Sequence, residues 1–99
     1  MWYAIISEDV DDSLPGRKVN REAHLARLHE MNEAGRLLIA GPHPKVDDDD
    51  PGDAGFSGSL LVLDFDSLEA AQAWADADPY VVNGIHKSVT VKPFKKVLP

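Results

Sequence analysis

The chain contains no cysteine, which excludes disulfides, thiolate nucleophiles and every cysteine-ligated zinc, iron–sulfur or copper centre. No apolar run approaches the ~18 residues that a membrane-spanning helix requires. Aromatic residues are only 7 % of the sequence, and basic residues are in deficit, with 10 lysines and arginines against 17 acids and a formal charge of -7. Such a chain repels phosphate backbones and anionic lipid heads, so neither nucleic acid nor a membrane is expected as a partner. The one local exception, Lys92-Pro93-Phe94-Lys95-Lys96, reads as a solvated tail. Missing too are a Gly-x-Gly-x-x-Gly turn, a Gly-Lys-Ser/Thr phosphate loop and a Gly-x-Ser-x-Gly elbow. Asp47 to Asp50 lack the spacing and distal glutamate of a calcium loop. No cofactor and no metal is expected.

What is present fits an ordinary globular chain: 99 residues, 43 % hydrophobic and 27 % charged. Residues 1–99 are expected to form one domain. The N-terminus has no basic region ahead of its apolar stretch, and a cytoplasmic location is expected.

Trp2 to Ser7 alternates Trp2/Ala4/Ile6 with Tyr3/Ile5/Ser7 and predicts a strand, followed by a loop from Glu8 to Gly16 that carries Pro15. Leu25, Leu28 and Met31 recur at helical spacing, which predicts a first helix from Asn20, as N-cap, to Ala34, stopped by Gly35. Arg36 to Pro42 holds the short run Leu37-Leu38-Ile39-Ala40, read as a strand buried on both faces. His43 to Phe56 has prolines, glycines and four aspartates but no apolar period, and reads as a long loop. Ser59 to Phe65 is the third predicted strand, apolar on both sets. Asp66 and Glu69 have capping-box spacing ahead of a second helix marked by Leu68, Ala71, Trp74 and Ala75. Pro79 breaks that helix at Asp78 and starts a short turn, after which Ile85 to Lys92 alternates as a fourth strand.

The order βαββαβ in so short a chain predicts an α+β fold. Its four-stranded, mainly antiparallel sheet carries two helices on one face, because right-handed crossovers place both on the same side. The other face would expose more apolar surface than soluble monomers usually tolerate, so a sheet-to-sheet homodimer is expected.

His24 lies about 40° from Leu28 on a helical wheel and so faces inward. An inward imidazole is either a general acid or base, suited by an ordinary pKa of about 6.5, or a core-edge histidine held by a backbone carbonyl. Asp78 before Pro79 is a good N-cap for the short helical turn. Capping is compatible with a second task, because a carboxylate at a helix N-terminus stays ionised and is able to orient an imidazole. His29 sits roughly 140° around the helix from His24, a poor geometry for a shared metal. His43 and His86 are expected to be exposed.

The stretches Ala23-His24-Leu25-Ala26-Arg27-Leu28, Gly35-Arg36-Leu37-Leu38, Ala40-Gly41-Pro42, Asp50-Pro51-Gly52-Asp53-Ala54-Gly55-Phe56, Ser67-Leu68-Glu69-Ala70-Ala71, Ala75-Asp76-Ala77-Asp78-Pro79-Tyr80 and Val91-Lys92-Pro93-Phe94 together resemble the YciI-like family. The resemblance covers nearly the whole chain and departs at Glu22, where the family pattern has proline. It implies the dimeric α/β-barrel group of ferredoxin-like folds. It also implies a His–Asp active site at the positions of His24 and Asp78, and activity on a small cyclic or aromatic molecule, one relative removing chloride from a chlorinated aromatic. With that pair as the catalytic residues, Gly41, Pro42, Ser59 and Pro79 are the expected substrate-binding positions, the Ser59 hydroxyl or an amide near Gly41 steadying negative charge. The alternative expectation is a non-catalytic dimeric module that binds a metabolite or a protein.

Overall fold

In the computed structural model, which describes residues 1–99, the alternating N-terminal segment forms the strand β1 (Trp2–Asp9). It lies inside a four-stranded sheet between β3 (Phe56–Asp64) and β4 (His86–Phe94), with β2 (Leu37–Pro44) on the outer edge of β3. Every neighbouring pair is antiparallel. The helices α1 (Leu14–Glu33), α2 (Leu68–Asp76) and the short α3 (Pro79–Val82) complete the expected α+β order.

The period of two along β1 separates the faces. Tyr3, Ile5 and Ser7 stand opposite Leu63, Leu61 and Ser59, and this face packs against Leu28 and Met31 of α1 and Ala71 and Ala75 of α2. The two alanines let α2 close on the sheet, and Leu63 is left with no exposed surface. Burying one such leucine contributes roughly 1.5–3 kcal/mol. On the opposite face Trp2, Ile6 and Leu60 are only half-buried, while Ile39 is 52 % and Phe94 40 % exposed.

Three departures from the sequence reading have a local reason. The first helix begins at Leu14, not near Asn20, so the residues ahead of the expected N-cap already supply a turn and a half of helix. Pro15 is tolerated because the first helical turn has no intrahelical acceptor for its missing N–H. Gly16 serves as a contact point, since a Cβ there would lie 2.8 Å from Ile85 Cγ1. Asn20 consequently caps nothing; its Nδ2 donates to the Gly16 carbonyl. The cap of α2 is Ser67, whose hydroxyl accepts from Ala70 N at 3.1 Å, in place of Asp66. The strand β2 is an edge strand rather than one buried on both sides by its own chain, and its Pro42 and Pro44 are of the kind that edge strands accommodate. The stop at Gly35, in the left-handed conformation with φ of 72°, is as expected.

Candidate active site

Helix α1 and the break between α2 and α3 bring the expected pair together. His24 projects from the inner face of α1, and Asp78 caps α3 with Oδ1 accepting from Tyr80 N at 2.9 Å. His24 Nδ1 lies 2.9 Å from both Asp78 oxygens, with both residues buried. Burial opposes the Asp78 charge. Hydrogen bonding and charge from His24, then the Tyr80 amide and Arg27, outweigh it and hold the carboxyl below the ordinary aspartate range. An ionised carboxylate only accepts hydrogen bonds, so Nδ1 carries the proton and the neutral ring presents an unprotonated Nε2. The Tyr80 ring stacks on the imidazole with centroids 4.1 Å apart and fixes its plane. Arg27 backs the carboxylate at 3.6 Å from Oδ2 while its guanidinium lies over the Trp74 ring.

A second buried cluster adjoins the first. Continuing the inward set of β1 past Ser7 reaches Asp9, whose carboxylate accepts from Ser13 Oγ at 2.7 Å, Arg17 Nε at 2.6 Å and His86 Nδ1 at 2.8 Å. Burial opposes the Asp9 charge, but the hydrogen bonds from His86, Arg17 and Ser13, with the Arg17 charge, hold its carboxyl well below the usual carboxylate range. Arg17 Nη2 also donates to the Gly58 carbonyl and to Ser59 Oγ, each at 3.0 Å. Gly58 is needed where β3 passes β1, because a Cβ there would lie 2.0 Å from the Ser7 carbonyl oxygen. Tyr80 joins the clusters: its ring stacks on His24 and meets His86 edge-on, and its hydroxyl donates to the Arg17 carbonyl. Burial pushes the Tyr80 phenol above its ordinary pKa.

Both carboxyls ionise more readily in the folded protein than the ~3.9 of a free aspartate. The unfolded chain therefore binds more protons in acid, and the stability these groups supply is present above about pH 4 and lost as pH falls through their folded-state values. In urea unfolding followed from about pH 6 into the acid range, Asp9→Asn is expected to be less stable throughout but to lose less stability over that interval than wild type. Equal losses would mean that Asp9 does not carry the dependence.

A cavity of about 520 Å³ opens between α1 and the β2–β3 side of the sheet. That volume suits a small molecule. His24, Gly41, Pro42 and Ser59 all line it. Asp78 stands behind the imidazole, beside a small secondary pocket. Pro79 reaches neither, and its neighbour Tyr80 is the residue of α3 that lines the main cavity. His43 is exposed. His86 is not, its side chain being 5 % exposed because Asp9 draws it inward. No three His, Asp or Glu side chains converge in a metal-ligating array, and no helix is long and apolar enough to cross a membrane.

Residues 1–95 match the YCII-related domain. The chain belongs to that family. This YciI-like chain is 60 % identical over 97 residues to Protein YciI of Escherichia coli O6:H1, covering 98 % of this chain and 99 % of that protein. It is 48 % identical over 97 residues to an uncharacterised protein of Haemophilus influenzae, with the same coverage. Its fold matches 5-chloro-2-hydroxyhydroquinone dehydrochlorinase (TftG) from Burkholderia phenoliruptrix AC1100, solved in complex with 2,5-dihydroxybenzoquinone. The TM-score is 0.84 and the identity 25 %, over 96 % of this chain and 94 % of that one. Protein Atu4242 of Agrobacterium tumefaciens shares the fold alone, at 16 % identity and a TM-score of 0.51, over 96 % of this chain and 92 % of that one.

The Asp9–Arg17–His86 group of this YciI-like chain is not evident in the sequence because Arg17 falls between the predicted loop, Glu8 to Gly16, and the predicted start of the helix at Asn20. Two signals pointed to it. Asp9 extends the inward set Tyr3/Ile5/Ser7, and Arg17 precedes His24 by seven residues, two helical turns on one face.

Proposed function

We propose that this YciI-like protein is a small-molecule enzyme that uses His24 and Asp78 for general acid–base chemistry on a cyclic or aromatic metabolite, by elimination, isomerisation or hydrolysis. The observation that carries the reading is the buried His24 Nδ1 contact with both Asp78 oxygens, at 2.9 Å, on a ring that also lines the cavity. In this reading Nε2 takes a proton from the substrate, and Asp78 keeps the ring in the required tautomer and stabilises the imidazolium that forms. For an elimination, the electron pair of the broken C–H bond becomes the new π bond and the leaving group departs as an anion. The Ser59 hydroxyl, or an amide near Gly41, steadies charge on a substrate oxygen. The likeness to a dehydrochlorinase supports this class of chemistry, and chloride release from 5-chloro-2-hydroxyhydroquinone is the natural first assay.

The pair is tested without a substrate by ¹⁵N spectra of the His24 ring. Wild type is expected in the Nδ1–H form. In Asp78→Asn the amide is able to donate to Nδ1, and the ring is expected to move towards the Nε2–H form. An unchanged tautomer would leave Asp78 as a helix cap alone and favour the binding-module alternative.

We also assign the open sheet face to a second copy of the chain. Ile39 and Phe94, exposed there beside half-buried Trp2, Ile6 and Leu60, support it, since such apolar surface is covered in most soluble assemblies. Sedimentation equilibrium at micromolar concentration should return twice the chain mass of 10.8 kDa, and a monomer would remove the assignment.

A further inference from the structure

The cavity lining has a charge bias opposite to that of the chain. Overall the formal charge is -7, yet Arg17, Lys18, Arg21, His24 and His29 border the cavity and no aspartate or glutamate does. Lys18 and Arg21 are exposed at its rim, whereas Arg17 is buried, its side chain only 8 % exposed. Asp9, Gly58 and Ser59 occupy Nε and Nη2 of Arg17. Nη1 has no hydrogen bond and is not sealed in the interior, so its N–H groups are left for whatever enters the cavity. Two aromatic rings pack near the guanidinium, with Cζ 5.3 Å from the Phe56 ring centroid and 5.1 Å from that of Tyr80. Ser59, which also lines the cavity, accepts from Arg17 at Oγ, which leaves its own O–H as a donor.

A buried arginine held in one orientation with one unpaired end is a recognition group for a delocalised oxyanion. Asp9 is what makes this workable: it offsets the cost of burying the guanidinium and sets its plane without using Nη1. The remaining walls, Leu25, Leu28, Leu37 and Leu61, suit an apolar ring.

We propose that the cavity takes a small cyclic or aromatic organic acid bound as its anion, with the charged oxygens on Arg17 Nη1 and Ser59 Oγ and the reacting carbon turned towards His24. This rests on the acid–base reading of His24 and Asp78 and adds the class of substrate to it. Arg17 thereby becomes the residue that selects the substrate by charge and sets its orientation.

Benzoate and its neutral isostere benzamide are suitable probes, followed by calorimetry and by ¹H–¹⁵N spectra of the intact protein. Benzoate is expected to bind about ten-fold or more tightly than benzamide, the discrimination that one charge-assisted hydrogen bond provides. It should shift the Arg17 Nε–H and Ser59 signals. Arg17→Lys keeps the charge but loses the planar fork and is expected to lose most of that preference. Should this variant fail to fold, the intact-protein spectra still decide. Equal affinity for both probes, or benzoate shifts confined to Lys18 and Arg21 at the rim, would overturn the proposal. The tautomer of His24 in Asp78→Asn is read with no ligand present. Absence of any anion preference in the wild-type protein, with that tautomer change intact, would therefore refute the substrate class and leave the acid–base pair standing.

Discussion

Replacing His24 with asparagine is expected to lower kcat/KM about 10²–10⁴-fold, the usual contribution of a positioned acid or base, for any substrate that the wild-type protein turns over. Asparagine is the informative replacement because its Nδ2 is able to stand where Nδ1 donates, so Asp78 keeps a partner and Tyr80 keeps a flat group beneath its ring. The cap that Asp78 provides to the Tyr80 amide does not depend on the imidazole, and α3 should persist. The variant should thus melt near the wild-type temperature and have nearly the same circular dichroism while losing turnover. Turnover within a few-fold of wild type in a folded His24→Asn protein would refute the assigned role. A joint loss of fold and activity would be answered by His24→Gln, in which a longer amide tests the same contact.

The second large effect is on stability. Arg17→Met is expected to cost about 3–5 kcal/mol, because removing one partner of a buried ion pair leaves the other uncompensated. Asp9 is the residue left stranded: its side chain is 1 % exposed, and without Arg17 it retains only Ser13 and His86 as donors. Methionine fills similar volume, so the loss measured is electrostatic rather than a cavity. The double variant Asp9→Asn/Arg17→Met should be more stable than the sum of the two single losses implies, since the stranded charge is gone. Urea unfolding of the four proteins gives the coupling directly. A loss below about 1 kcal/mol for Arg17→Met, the range of a surface pair, would mean that the cluster is not structural.

The two clusters differ in how visible they are along the chain, for a reason that lies in their spacing. His24 sits at a predictable place on a helical wheel, and Asp78 is marked by the proline that follows it, so each carries its own local signal. Asp9, Arg17 and His86 carry none that stands alone. An aspartate at a strand end, an arginine near Pro15 and Gly16 and a histidine at the start of a strand are all ordinary surface residues. Pro15 and Gly16 have breaker chemistry and so point to a later start for α1, whereas one occupies the tolerant first turn and the other the contact with Ile85. For His86 the sequence predicts exposure because nothing near it along the chain pulls it inward. Its partner is Asp9, 77 residues away.

Sequence alone was enough to determine the order of strands and helices, the two alternating sets of the first strand, the inward place of His24 and the helix cap at Asp78. Those features follow from periods of two and 3.6 and from the local chemistry of proline, glycine and caps, which act over a few residues. Tertiary structure alone decided that His24 meets both oxygens of Asp78, that Tyr80 rather than Pro79 reaches the cavity, and that Arg17 is buried beside it on Asp9. Each of these depends on where β1, α1, α3 and β4 converge. Hydrogen bonds across such separations are set by the packing of whole elements, and no local pattern specifies them.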